Sequence, residues 1–373
     1  MLICWRVYPT VGFLPNDVAE LGMKLVSLST DPSVTHNDMT RDAILDVAAN
    51  VLRDNPNPDN EGSSERISAL SSLDEGSLLT AYYGQSWKSW TVKFQFENAI
   101  EDIQDANSEV DLGKLEKDLA AAHFDGEQFQ SGQDRLITLR QNVVSSILAE
   151  NFDVARTDTG RMLHALQDFY SHSNWIENGN TSPNNVLGRP NKRLDNVASP
   201  TQQTCINCEK RGFPPYYKCK DNIASSLQRD GILTSGYYGG SIDTNGQEIQ
   251  KPLGKCSHGG FADSTSDTYA KGGINKDSPY YRSSPHHYLH YEAASVAQQA
   301  TIDILQDIRR EVNNDQLFIA YLGLKLNQAI ADIAESMDDN FPGMMSQIRT
   351  TLQSLNGNTT LATCVPYYIN LSS

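Results

Sequence analysis

Apolar residues recur at helical spacing over much of the chain. In residues 36–53, Ile44, Val47 and Val51 lie three and four positions apart, as on the buried face of an amphipathic helix. The same spacing predicts further helices over 91–104, 113–123, 128–151, 153–173 and 286–313. Strand-like alternation is weak before residue 315. The pattern therefore predicts a mainly α fold.

Residues 174–285 interrupt this helical pattern. The segment is rich in Gly, Pro, Asn, Ser and Tyr and has little periodicity, as does the shorter polar loop at 54–64. A compact domain rarely carries so long a segment without secondary structure, so we expect covalent cross-links within it. We predict one helical domain over 13–314, with 174–285 as a long, loop-rich insert.

The two ends of the chain differ from this helical part. Residues 1–12 are apolar but too short for a complete secretory signal, and we interpret them as a signal remnant or a misassigned start. In 315–373, an apolar stretch leads into a predicted helix at 342–355 and a predicted strand at 363–371. This order is the beginning of an α/β unit, and the chain ends before a sheet is complete.

The charge of the chain argues against two classes of partner. The formal net charge is −16 and the pI is near 4.9. Non-specific binding to nucleic acid or to an acidic membrane surface is therefore not expected. The sequence also contains no run of about 18 apolar residues, the length that a transmembrane helix requires.

Four of the six cysteines lie within the irregular insert: Cys205, Cys208, Cys219 and Cys256. Two disulfides among them would cross-link the insert in an oxidising compartment. The alternative is a structural zinc site that includes Cys256 and His258. Because the insert lacks the second Cys-x2-Cys pair that would favour zinc, we favour disulfides.

Three Asn-x-Ser/Thr sequons lie in loop-like contexts, at Asn180, Asn358 and Asn370. Such sites accept N-linked glycans on surface loops of secreted proteins. Together with the disulfides, they predict a secreted, extracellular glycoprotein.

The segment LHALQDFYSHSNW, residues 163–175, carries the clearest candidate chemistry. His164, Asp168 and His172 are spaced by four residues, so a helix places them along one stripe. Imidazole and carboxylate groups together suit zinc or a similar divalent ion. The alternative interpretation is a solvated helix face with two ordinary histidines.

The remaining histidines favour the metal interpretation. His36 opens the first predicted helix and His123 ends another, while His286 and His290 form a pair four residues apart at the start of the last. Helices of a bundle can direct such side chains at one central metal site. The chain has no P-loop, nucleophile elbow, dinucleotide fingerprint, HExxH motif or EF-hand loop.

Several longer motifs resemble one family. HALQDFYSHSNW, THNDMT, HFDGEQF, GKCSHGG, GGINKDS and SPHHYLH are similar to the N-terminal module of the von Willebrand factor A domain-containing protein seven family, over about residues 13–315. That module is related to the HET-C type of fungal incompatibility protein. More distantly, it resembles the zinc-dependent phospholipase C and single-strand nuclease superfamily.

The resemblance implies a helical domain that binds up to three zinc ions. Matched residue by residue, the implied ligands are His36, His123, His164, Asp168, His172 and His286, with His290 where the family has Glu. A catalytic aspartate should precede His123; Asp102 is our candidate, with Asp105 and Asp111 as competitors. The spacing from Asp168 to His172 is shorter than in the phospholipases, so His172 could be displaced from the ligand position.

The resemblance implies two alternative functions. The first is a secreted zinc-dependent phosphoesterase of phospholipase C type, which acts on a phospholipid or another phosphodiester. The second is a non-catalytic extracellular adhesion or matrix module in which the metal cluster is structural. Residues 315–373 resemble the truncated start of a von Willebrand A domain. Asp332, Ala334 and Ser336 there depart from the family's metal-dependent adhesion loop, because the middle hydroxyl is missing.

Overall fold

The structure, a computed structural model, describes residues 13–27, 31–212, 216–260 and 263–326. Among these residues it is mainly helical, with a single two-stranded antiparallel sheet. None of the described helices is long and apolar enough to cross a membrane. The predictions of Asn358, Asn370 and the adhesion loop fall outside the described residues.

Eleven α-helices and two strands are described. The helices are α1 (Asp17–Ser27), α2 (His36–Asp54), α3 (Ser63–Ser68), α4 (Glu75–Tyr83), α5 (Trp87–Leu112), α6 (Ala120–His123), α7 (Phe129–Leu148), α8 (Phe152–His172), α9 (Ser225–Asp230), α10 (His290–Val312) and α11 (Asp315–Tyr321). The strands are β1 (Glu209–Arg211) and β2 (Tyr216–Lys218). One-turn 3-10 helices occupy Asp125–Glu127, Ser264–Asp267 and His287–Leu289.

Helix α8 lies at the centre of the bundle. It packs against α2, α5, α6, α7, α10 and α11, and every residue from Met162 to His172 is buried. Helix α8 approaches α5 closely at Gly160, where a Cβ atom would lie 2.3 Å from the carbonyl oxygen of Ile103. The absence of a side chain at Gly160 therefore lets α5 run close beside the polar stripe of α8.

Helix α2 begins where the sequence predicts. The side chain of Thr35 accepts a hydrogen bond from the Asp38 backbone, and the Asp38 carboxylate accepts one from the Thr35 backbone. This reciprocal capping box satisfies two backbone donors at the helix start. It fixes His36 as the first helical residue, directed into the interior.

The insert covers the C-terminal end of α8. Its two disulfides join Cys205 to Cys256 and Cys208 to Cys219, which confirms the prediction of cross-links. Backbone hydrogen bonds connect the insert to the helices, among them Gly126 N to Gly236 O at 2.7 Å and Gly236 N to His172 O at 3.0 Å. The insert therefore closes the bundle directly above the last turn of α8.

The predicted helices over 36–53, 128–151, 153–173 and 286–313 correspond to α2, α7, α8 and α10. The prediction over 113–123 is wrong for 113–119: α5 continues to Leu112, and turns follow Gly113 until α6 begins. Helices α1, α3, α4, α9 and α11 were not predicted, because each has 11 residues or fewer. The core continues beyond residue 314, since Phe318, Tyr321 and Leu324 are buried within it.

Candidate metal centre

Asp168 lies among three imidazole rings in the interior. Its Oδ1 atom is 3.1 Å from Nε2 of His36. Its Oδ2 atom is 2.9 Å from Nδ1 of His123 and 3.1 Å from Nε2 of His164. The two oxygens of the Asp168 carboxylate therefore face different ring nitrogens, so this carboxylate could contribute to more than one metal site.

A second aspartate approaches from α5. Asp111 Oδ1 is 3.5 Å from His164 Nε2 and 3.8 Å from His123 Nδ1. The side chains thus form two overlapping groups, His36–His164–Asp168 and Asp111–His123–His164, in which the ligand atoms all lie within 4.8 Å of one another. His164 belongs to both groups.

A third group lies at the C-terminal end of α8. His172 Nδ1 is 3.1 Å from Asp125 Oδ1, and His172 Nε2 is 3.1 Å from His258 Nε2. The Asp277 carboxylate lies beside them, with Oδ1 3.3 Å from His172 Nε2 and Oδ2 3.4 Å from His258 Nε2. His258 and Asp277 come from the insert, so this group joins the insert to the bundle.

We call the nine residues of these groups the histidine–aspartate centre. They are His36, Asp111, His123, Asp125, His164, Asp168, His172, His258 and Asp277. None of their side chains is more than 6% exposed.

Buried polar atoms without partners concentrate at this centre. Among the described residues, eleven buried side-chain atoms have no hydrogen-bond partner, and six of them belong to the centre. These six are His36 Nε2, Asp168 Oδ1 and both carboxylate oxygens of Asp111 and Asp125. A buried carboxylate without a partner costs free energy, and cations between these atoms would remove that cost. The donor set therefore fits a cluster of divalent ions.

The spacing of the ligand atoms also fits zinc. Zinc–nitrogen bonds of about 2.0–2.1 Å at tetrahedral angles place neighbouring ligand atoms ~3.3 Å apart. His123 Nδ1 and His164 Nε2 are 3.1 Å apart, as are the Nε2 atoms of His172 and His258. Imidazole nitrogens and carboxylate oxygens are also the ligands that zinc prefers in catalytic sites.

Burial and charge shift the pKa values of the centre. Burial lowers the pKa of His164 to about 3, although Asp168 opposes the shift. Burial by itself would raise the pKa of Asp168, but His164, His172 and His36 outweigh it and hold that pKa well below its usual range. At neutral pH, His164 is therefore uncharged and Asp168 ionised, the forms in which both bind metals.

Asp111 behaves in the opposite way. Burial raises the pKa of Asp111 well above its usual value, and the negative charge of Asp168 raises it further. For His172, burial lowers the pKa, but the carboxylates of Asp125 and Asp168 outweigh that effect and raise it well above its usual value. Two carboxyl groups in one buried site thus have strongly different proton affinities, as is common at functional sites.

The backbone between His123 and Asp125 has an unusual conformation. Phe124 has φ of 55° and Gly126 has φ of 59°, values in the left-handed region. This region is rare for a bulky residue such as Phe124, and such strain persists where the surrounding structure imposes it. The turn directs His123 and Asp125 into two neighbouring groups of the centre.

Two predicted ligands lie outside these groups. His286 Nδ1 is 2.5 Å from Glu177 Oε1, and its Nε2 is 2.7 Å from Asn222 Oδ1. His290 Nε2 accepts a hydrogen bond from the Val34 backbone at 3.0 Å, and its Nδ1 donates to a backbone carbonyl at 2.7 Å. Both ring nitrogens of each histidine are thus engaged by protein groups.

The predicted catalytic aspartate also lies elsewhere. Asp102 accepts a hydrogen bond from Arg156 at 3.1 Å, and its side chain is 45% exposed. Its competitor Asp111, nine residues further along α5, is the one that the structure brings to the centre. At the predicted glycosylation site, the side-chain nitrogen of Asn180 donates to the Trp175 carbonyl.

Sequence reasoning did not select Asp125, His258 and Asp277 as members of one site. All three lie in the motifs HFDGEQF, GKCSHGG and GGINKDS, which carry the family resemblance. Each of these motifs contains a residue of a type that binds metals, and this was the signal in the sequence that could have identified the three residues. Their proximity was not predictable, because it depends on the path of the insert.

Comparison with known sequences identifies the family. A family model described as the VWA7 N-terminal domain matches residues 73–318. The chain belongs to this family. This confirms the resemblance predicted from the motifs.

Three curated relatives are called von Willebrand factor A domain-containing protein 7. The chain is 33% identical to the Mus musculus protein over 355 residues and 32% identical to the Homo sapiens protein over 354, with 94% of the chain and 36% of each relative covered. It is 36% identical to the Rattus norvegicus protein over 303 residues, or 81% of the chain and 31% of the relative. The chain therefore spans about a third of the length of these relatives. No solved structure matches it.

Proposed function

We propose that this chain binds up to three zinc ions in the histidine–aspartate centre and hydrolyses a phosphodiester there. The observation that carries the proposal is the set of six unpartnered buried atoms on His36, Asp111, Asp125 and Asp168. A folded protein seldom leaves so many buried polar atoms without partners unless something else binds them.

The three groups of the centre would each hold one ion. His36, His164 and Asp168 form the first site, and Asp111 and His123 extend it to a second. Asp125, His172 and His258 form the third, with Asp277 alongside. When bound, such ions supply Lewis-acid chemistry that activates water and stabilises charge on phosphate oxygens.

Protein side chains supply the rest of the proposed chemistry. Asp168 holds the imidazoles of His36, His123 and His164 in one arrangement through its two oxygens. Asp111 Oδ1 faces His123 and His164. Its Oδ2, which has no hydrogen-bond partner, would be the atom that orients the attacking water and accepts its proton. Asp111 thus takes the role that the sequence assigned to Asp102.

This assignment predicts different effects for two aspartates on the same helix. Asp111→Asn removes a carboxylate of the centre and is expected to lower kcat by about 100-fold or more, the size of a lost general base. Asp102→Asn changes only a partly exposed ion pair with Arg156 and is expected to leave kcat within about twofold of wild type. Hydrolysis of bis(p-nitrophenyl) phosphate and of phosphatidylcholine vesicles by zinc-loaded protein measures both.

The Asp102 variant is the matched control, because both substitutions replace a carboxylate on α5 by its amide. Equal losses in the two variants would contradict the role of Asp111. A zinc-loaded wild-type protein without turnover on either substrate would contradict the phosphoesterase proposal itself.

One observation favours a second function, in which the metal cluster is structural. The centre is closed to solvent, since its side chains are at most 6% exposed. The third group also joins the insert to α8 through His258 and Asp277, so bound metal would staple the insert onto the bundle. The chain would then be an extracellular adhesion or matrix module stabilised by metal, and bound zinc without turnover is the result that it predicts.

Both functions assume an extracellular location. The two disulfides support this part of the proposal, because stable disulfides form mainly in oxidising compartments. We further propose that the helical body shares the fold of the zinc-dependent phospholipases C. The part of residues 315–373 that follows the helical core would begin a von Willebrand A-like domain. Glycosylation at Asn180 remains part of the same proposal.

A further inference from the structure

A chain of hydrogen-bonded side chains lies behind the metal centre and joins four helices. It consists of Thr40 on α2, Asn107 on α5, Gln167 on α8 and Thr301 on α10, which we call the amide chain. All four residues are 0% exposed. Their donors and acceptors must therefore be satisfied by one another or by the adjacent histidines.

The direction of the hydrogen bonds along the amide chain is set at Thr301. Its hydroxyl donates to the carbonyl oxygen of Ala297 at 2.9 Å, so the only proton on that oxygen is already used. The hydroxyl oxygen can then only accept from Gln167, whose Nε2 lies 3.2 Å away. This contact fixes which end of the Gln167 amide is the nitrogen, and it turns Oε1 toward His36 Nδ1, at 2.6 Å.

The orientation of the Gln167 amide in turn fixes the orientation of the Asn107 amide. Asn107 Nδ2 donates to Gln167 Oε1 and to Thr40 Oγ1, each at 3.2 Å. A reversed Asn107 amide would place two carbonyl oxygens against each other. Asn107 Oδ1 therefore faces His164 Nδ1, at 3.0 Å.

The Nδ1 atoms of His36 and His164 thus each contact an amide oxygen. An amide oxygen only accepts hydrogen bonds, so each Nδ1 carries a proton and Nε2 is left as the ring nitrogen that can bind metal. The Nε2 atoms of His36 and His164 are the ones that face Asp168, each at 3.1 Å. We infer that Thr301, Gln167 and Asn107 are positioning residues that fix His36 and His164 as Nδ1–H tautomers and thereby select Nε2 as the metal ligand.

The inference rests on the proposed metal centre, but the tautomers can be read directly. Nitrogen-15 NMR of histidine-labelled protein, whatever its metal content, is expected to show protonated Nδ1 in both His36 and His164. Gln167→Met and Thr301→Val are expected to weaken zinc binding by about 10- to 100-fold, the usual effect of losing a partner behind a ligand. Competition with a chromogenic chelator measures the affinity.

Thr159→Val is the matched control for Thr301→Val. Thr159 is also a buried threonine whose hydroxyl lies 2.7 Å from the carbonyl four residues earlier, and its other partner is Tyr321. We expect Thr159→Val to leave zinc affinity unchanged, and circular dichroism confirms that each variant is folded. Gln167→Glu retains an acceptor facing His36 and is expected to keep the Nδ1–H signal.

The outcomes separate this inference from the proposed function. An unprotonated Nδ1 on either ring, or unchanged zinc affinity in folded Gln167→Met and Thr301→Val variants, would overturn the role of the amide chain while leaving zinc binding intact. Protonated Nδ1 atoms in a protein that binds no zinc would support the tautomer assignment and defeat the metal proposal.

Discussion

Replacing Asp168 with asparagine is expected to release metal from the centre and abolish hydrolysis. Asp168 contacts the ring nitrogens of His36, His123 and His164. Asparagine keeps the size but loses the charge and turns an N–H group toward nitrogens that should bind metal. Since loss of a residue behind a ligand already costs 10- to 100-fold in affinity, we expect zinc affinity to fall by more than about 100-fold.

The control for this variant is Asp158→Asn on the same helix. Asp158 is 8% exposed and pairs with Arg161 at 2.9 Å, three residues away, and it has no contact with the centre. Its replacement is expected to leave zinc affinity and turnover unchanged. Retention of full metal content in Asp168→Asn, measured by titration with a chromogenic chelator, would contradict the bridging role of Asp168.

Removal of metal by a chelator is expected to lower the melting temperature substantially. The centre buries four carboxylates, on Asp111, Asp125, Asp168 and Asp277, and three of them, on Asp111, Asp125 and Asp168, have oxygens without a hydrogen-bond partner. An ion present at about a thousand times its Kd contributes about 4 kcal/mol to the free energy of unfolding. For a domain of this size, that corresponds to a loss of the order of 10 °C per ion.

Differential scanning calorimetry with and without EDTA measures this effect. Added zinc should restore the original melting temperature. EDTA should shift the melting temperature of the Asp168→Asn protein less than that of the wild type, because the third group, which lacks Asp168, would still hold an ion. A wild-type melting temperature that EDTA does not shift would show that the buried carboxylates are stable without metal.

The part of the centre that lies on helices was predictable from the sequence. Residues four apart on a helix share a face in any fold, so the stripe of His164, Asp168 and His172 follows from spacing alone. Helix α8 could also be placed, because its flanking apolar residues recur at helical spacing. The buried position of the stripe required the structure, since a polar helix face usually lies in solvent.

The contribution of the loops was not predictable. His258 and Asp277 reach the centre only through the path of the insert, which has no periodic pattern. His286 and His290 show the reverse case. Their spacing suggests a pair of ligands, but the structure surrounds both rings with protein donors and acceptors.

Metal content per chain tests the proposed centre most directly. Elemental mass spectrometry would be applied to protein secreted from eukaryotic cells, dialysed against zinc-buffered solution, beside the Asp168→Asn variant. The three groups of the centre predict stoichiometric zinc, up to three ions per chain, and a lower zinc content in the variant, which keeps the third group intact. A wild-type chain without stoichiometric metal under these conditions would contradict the proposed centre, and with it the phosphoesterase and the metal-stapled module alike.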